Sequence, residues 1–298
     1  RQIYDNYNVR IATIPHTTWV ASGQIQSAFP DLKIKNTIIR NVCKANDIVN
    51  LAKAGFHYIN LDRDMMRDKN GLLEIKKAKE YCKKIGKPVE ISLLANEGCW
   101  GGCSVMDEHY HFNSTRQGKS PQFFMDPIST NSCSKWDIED PSSALKAANL
   151  PPWREDWEEF LDLGIDVFKM HGRENMMRLK ESMDIVERWA REDELLFPEF
   201  DEYMDDLQVK DAPINLWREK IKTCKFDCWD CHYCENVVSA KAKNRWIEQI
   251  DNSLSLSKQE RSRCVHGLTV PGLTSNKVKH FLNNLCNAED VRYLEIGT

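Results

Sequence analysis

Seven of the eleven cysteines in this 298-residue chain fall in three places: Cys99 and Cys103 in "CWGGC", Cys133 alone, and Cys224, Cys228, Cys231 and Cys234 in "CKFDCWDCHYC". In a reducing compartment, clustered thiols read as metal or redox chemistry rather than as disulfides. Sets of thiolate ligands suit zinc or an iron–sulfur cluster. The C-x3-C spacing of Cys99 and Cys103 is looser than the C-x2-C of a zinc knuckle, so a pair of unrelated buried thiols is the plain alternative there. Gly98, Gly101 and Gly102 would let the backbone wrap closely round an inorganic centre. The cysteines at 224–234 are denser, with C-x2-C-x2-C as their core, and this spacing serves both zinc and iron–sulfur. Three ligands from one short loop and a fourth from far away is an iron–sulfur arrangement. His232 lies inside the loop, as a ligand or as an exposed spacer. Cys43, Cys82, Cys264 and Cys286 stand apart and read as small apolar side chains.

A second set of chemically capable residues follows strand-like runs. His16 follows the first, Asp62-Arg63-Asp64 the third, the cysteine motif the fourth, and His171-Gly172-Arg173 the fifth. The candidate catalytic residues are His109, His111, Arg173 and Asp62. His109 and His111 are two apart, so in an extended segment both point the same way and could donate protons or hold substrate. Arg173 offers a planar fork for a carboxylate, or alternatively a salt bridge to Asp62 or Asp64. Asp62-Arg63-Asp64 also reads as a self-compensating charge cluster at a strand end.

The elements that must position these residues alternate. "VRIATI" (9–14), "KIKNTII" (33–39), "HYINLD" (57–62), "VEISLLA" (89–95) and "IDVFKM" (165–170) read as strands. "ANDIVNLAKAG", "GLLEIKKAKEYCKKIG" and "REDWEEFLDLG" read as helices ending in glycine. Strand, helix, strand at this spacing predicts a parallel sheet, in either an open doubly wound form or a (β/α)-barrel. Both collect functional residues beyond the C-terminal ends of the strands. Residues 104–153 read as a long polar insertion carrying Cys133, and 174–206 as a return to helix. The organisation expected is an α/β chain with a (β/α) TIM-type barrel portion over 1–206, incomplete in this chain. A cysteine-rich metal-binding segment and helix follow over 207–250, then a linker, helix and strand over 251–298.

Composition sets outer bounds. An apolar content of 41% is enough for an ordinary folded core. Forty-one basic against 45 acidic residues, a net charge of −4, form no basic block, so no purely electrostatic grip on nucleic acid is announced. The absence of an 18-residue apolar run and of a basic, apolar leader points to a cytoplasmic chain without a membrane span. Both ends read as cut from something longer. There is no H-E-x-x-H, no G-x-S-x-G and no persuasive Cys/His pair for a peptidase.

The runs "FPDLKIKNTII", "AGFHYINLDRDMMRD", "ISLLANEGCWGGC", "HYHFN" and "PPWREDWEEFLDLGIDVFKMHGREN", in that order, resemble the collagenase-like peptidase family U-thirty-two over residues 9–240. The resemblance implies a (β/α)-barrel carrying a [4Fe-4S] cluster. Despite the family's peptidase name, several relatives are oxygen-independent hydroxylation proteins, acting on a small-molecule ring or on RNA bases. It implies Cys99, Cys103 and Cys133 as the first three cluster ligands. The chain departs at the fourth, having no cysteine between Cys133 and "REDWEEF", so Cys234 or another of the 224–234 cysteines completes the site, or that segment holds a second centre with zinc as the alternative metal. A peptidase, and a scaffold whose metal only staples the 104–153 loop, are the competing readings. "VRYLEIGT" at the end resembles the opening strand and glycine turn of a class I S-adenosylmethionine-dependent methyltransferase, which makes a fused methyltransferase domain or a protein partner an expectation.

Overall fold

The structure, a computed structural model, describes residues 1–103, Met106, 142–170, 176–197 and 211–238. In chain order its elements begin with α1 (Gln2–Tyr7), β1 (Ile11–Thr13), α2 (Thr17–Ala21), α3 (Gln24–Ala28), β2 (Lys33–Lys35), α4 (Ala45–Ala54), β3 (Tyr58–Asn60), α5 (Lys69–Lys84) and β4 (Glu90–Leu94). They continue with β5 (Asn96–Trp100), α6 (Ser143–Lys146), β6 (Ala147–Asn149), α7 (Arg154–Asp162), β7 (Val167–Lys169), α8 (Met176–Ala190), α9 (Asp211–Ile221), α10 (Cys228–Cys231) and α11 (Tyr233–Val237). These fall into two compact units, one of Arg1–Ala95 with Glu155–Met170, the other from the described residues of Asn96–Arg154 and His171–Thr298.

The first unit is a parallel sheet in the order β1-β2-β3-β4-β7. Each strand pairs with the next one the unit contributes, and the order never reverses. A doubly wound sheet needs that reversal, because it sends helices to both faces; a monotonic order with right-handed crossovers keeps all helices on one face and curls the sheet. The result is a curled half-barrel of five strands, and of the two forms open from sequence the doubly wound one is set aside.

Alternation along the strands sorts the two faces. Ile34, Ile59, Ile91 and Leu93 share one face and are fully buried. They meet the stripes of α4 (Ile48, Leu51, Ala52) and α5 (Leu72, Ile75, Ala78, Cys82), and the Trp157 ring of α7 lies 4.7 Å from Phe168 of β7. Burying each such aliphatic side chain stabilises the fold by about 2 kcal/mol. Gly55 ends α4 with φ 107, a left-handed cap that a side chain would strain, and a Cβ there would also strike the Gln26 amide. Lys79 of α5 pairs with Asp166 at 2.6 Å, and the other oxygen of that carboxylate accepts from the Ile91 amide at 2.7 Å, so one acid ties helix to sheet.

The second unit starts where β4 ends. β5 pairs antiparallel with β6, Asn96 opposite Asn149 and Trp100 opposite Ala147, with a bulge between. The stretch read as wholly loop thus contains a short helix and strand, α6 and β6, against which the "NEGCW" segment is laid. Asn96 donates to Ser182 Oγ of α8 at 2.9 Å, both buried. The chain after Leu150 is clamped by Leu196 N donating to Pro152 O at 2.7 Å, and the Arg218 guanidinium stacks 4.2 Å over the Trp153 ring. No helix among the described residues is long and apolar enough to cross a membrane.

Candidate metal centre

Gly101, between Cys99 and Cys103, has the Phe226 ring, between Cys224 and Cys228, directly over it. A Cβ added at Gly101 would collide with three atoms of that ring. Two cysteine segments more than a hundred residues apart in sequence therefore meet at van der Waals distance. Phe226 itself holds φ 59 and His232 holds φ 48, left-handed values rare for residues with a side chain. Such a conformation costs of order 1 kcal/mol or more and persists only where surroundings over-determine it. Here it folds the eleven-residue cysteine loop back on itself, with α10 and α11 as single turns either side of His232.

Two further tethers fix the loop against α6, the short helix that leads into β6. Cys234 Sγ approaches the Leu145 carbonyl of α6 at 3.7 Å. The next residue, Glu235, pairs with Lys146 at 2.6 Å and with His232 Nδ1 at 2.8 Å. Lys146 is only 4% exposed, so this ion pair is largely desolvated at its cationic end. Burial works to raise the Glu235 pKa, but the hydrogen bonds and charges of Lys146 and His232 outweigh it and hold the carboxyl below its usual value. The Phe226 amide donates to Cys224 Sγ at 3.3 Å.

The expected ligands stand as follows. Cys103, Cys224, Cys228 and Cys234 are partly exposed and Cys231 is exposed, none of them in a disulfide. Cys99 is described by its backbone alone, on the bulged strand β5. Cys133, His109, His111 and Arg173 lie outside the described residues, as does the final run "VRYLEIGT". Among the described residues no three His, Cys, Asp or Glu side chains gather as a ligand set.

Asp62, in the half-barrel, has a definite local task. It is buried, and its Oδ1 accepts from the Asp64 amide at 2.8 Å, capping a 3-10 turn over Arg63–Arg67. Beside it lies Cys43, whose thiol was not expected to matter. The residue is exposed, yet partial covering of the thiol, then the carboxylates of Asp62, Asp64 and Asp47, push its pKa up to about 11 against the pull of Lys44. At neutral pH it stays a thiol, which removes it as a nucleophile. His16 packs its ring 4.4 Å from Trp19. Cys82 is fully buried on α5, as a small apolar residue would be.

No family model, curated protein or solved structure matches this chain.

Proposed function

We propose that this chain is an iron–sulfur protein in which thiolates from both cysteine segments hold one [4Fe-4S] cluster, and that it works as an oxygen-independent hydroxylation-type redox enzyme on a small aromatic or nucleobase substrate. The observation that carries this reading is the seating of Phe226 on Gly101, which brings "CWGGC" against the 224–234 loop. Cys99, Cys103, Cys133 and Cys234 are the proposed ligands, and the cluster would supply one-electron chemistry. His109, His111, Arg173 and Asp62 are the proposed polar groups for substrate. A (β/α) TIM-type barrel around the five-strand half, the U-thirty-two resemblance and a cytoplasmic setting belong to the same proposal.

One observation favours a second reading. The Lys146–Glu235 pair already clamps the loop, so a structural metal, zinc included, would find its staple half made. Anaerobic purification with visible absorbance, iron and sulfide assays separates the two. A brown protein with close to four irons, lost on Cys103→Ser and equally on Cys234→Ser, is expected. A colourless protein loaded with zinc would sink the redox reading.

A further inference from the structure

We propose that the outer stripe of α8 pairs antiparallel with the same stripe of a second copy of this chain. On α8 the buried positions are Ser182 and Ile185, with Trp189 half-buried under the Arg154 guanidinium. Leu179, Met183 and Val186 are 38%, 56% and 55% exposed, and Ala190 after them is exposed too. With about 3.6 residues per turn, these four share one side of the helix, roughly a quarter-turn from the buried one. A surface helix ordinarily turns its apolar stripe inward and its polar residues outward. α8 turns a serine inward and an apolar stripe outward, which marks a surface that a partner covers.

The stripe has the alternating spacing of a coiled-coil seam: Leu179 at d, Met183 at a, Val186 at d and Ala190 at a. In an antiparallel pair each a residue packs against a d residue of the other helix. A two-fold axis passing between Asp184 and Ile185 sets Met183 against Val186 of the second copy and Leu179 against its Ala190. Every member of the stripe then meets another member, so the surface is complementary to itself.

The charges beside the stripe select this partner and this direction. Lys180 and Glu187 are exposed and both fall at e, on the side of the stripe opposite the buried face. Among the described residues neither forms an ion pair within its own chain, and two helical turns separate them from each other. Antiparallel helices bring e against e, and the same axis puts Lys180 of each copy against Glu187 of the other, giving two opposite-charge pairs. A parallel pair would set Glu187 against Ser182 and gain neither. A membrane surface would call for a basic rim, whereas the polar side of α8 mixes Lys180, Glu181, Asp184, Glu187 and Arg188. A contact of three helical turns covers less than the roughly 800 Å² per partner of a standard interface, so the dissociation constant should be on the order of 10 μM.

The inference does not rest on the cysteine chemistry. Sedimentation equilibrium of the full chain tests it, under a phosphine reductant that prevents disulfide-linked dimers. The weight-average mass is expected to rise toward that of a dimer as the concentration passes through the dissociation constant. Met183→Glu should weaken association at least tenfold and leave the thermal midpoint of the dilute protein unchanged, since the side chain is exposed. Val186→Lys, at the position facing it, should do the same. Lys180→Glu and Glu187→Lys, each alone, set like charges against each other twice and should weaken association about tenfold, while the doubly reversed chain should return to the wild-type constant. A monomer at every concentration, a dimer that Met183→Glu leaves intact, or a dimer whose charge variants the double reversal fails to restore would overturn the proposal.

Discussion

The half-barrel and the cysteine-bearing unit hold together by opposite means. In the first, one arrangement is repeated: a short strand, a glycine-capped or lysine-rich helix, and a shared aliphatic layer of Ile34, Ile59, Ile91 and Leu93. Cohesion there is spread over many similar contacts, each replaceable. In the second, an antiparallel strand pair with a bulge and two single-turn helices are joined by individual contacts: Phe226 on Gly101, Glu235 on Lys146, Asn96 on Ser182. The difference teaches where each region is sensitive. A layered sheet registers lost volume, whereas a tethered loop registers a lost partner.

Removing volume from the layer tests the first half of that contrast. Ile59→Ala should cost about 4 kcal/mol in urea unfolding, since the side chain is fully buried and its neighbours are rigid strand residues. Metal content of the folded protein should be unchanged. A loss of iron or zinc from this variant would mean that the two regions are not separate in their sensitivities.

Tether variants should show the reverse pattern. Glu235→Gln leaves the Lys146 ammonium, 4% exposed, without its carboxylate. A fully buried broken pair costs about 3–5 kcal/mol, and because Glu235 is a third exposed we expect about 2–3 kcal/mol together with reduced metal content. Glu235→Gln with Lys146→Met should recover most of that loss, as the apolar pair strands no charge. If the double variant is as unstable as the single, the pair is not what holds the loop. Next in size, Gly101→Ala forces a methyl into the Phe226 ring and should cost about 2 kcal/mol. Its signature is rescue by Phe226→Ala, which opens the space; absence of rescue in metal content would remove the central support for a two-segment site.

The repeated region was open to reading from the residues because its rules are local. "HYINLD" and "VEISLLA" alternate, "ANDIVNLAKAG" and "REDWEEFLDLG" carry helical stripes and stop at glycine, and each lies within two residues of the element found. Which face Lys35, Asn60, Ser92 and Lys169 share depends on register across three strand pairings, which no single strand shows. "NEGCW" and "AAN" lack the β-branched residues that mark a strand, and only pairing with each other makes them strands. Gly101 was read as making room for an inorganic centre. Its actual neighbour is an aromatic ring from the far cysteine loop, a contact with no local trace. His109, His111, Cys133 and Arg173 lie outside the described residues, so their part in the site rests on sequence alone.

Acid should separate the two regions, and with the smallest effect. His57 Nδ1 accepts from the Ile34 amide at 3.1 Å, which requires the neutral ring. Burial first, then Lys33 and Lys87, lower its pKa below 6.5. The unfolded chain therefore binds that proton before the folded one does, and stability from this group is full above pH 6.5 and falls as the pH drops below it. Glu235 responds later: its folded pKa lies under 4.5, so its contribution is complete above that value and is lost as the pH falls through the lowered one. Unfolding followed from pH 7.5 to 3.5 should show the half-barrel weakening first and the cysteine unit only in the lower range. His57→Asn should flatten the first slope and leave the second untouched. A single slope abolished by Glu235→Gln would assign all the acid sensitivity to the tethers and none to the sheet.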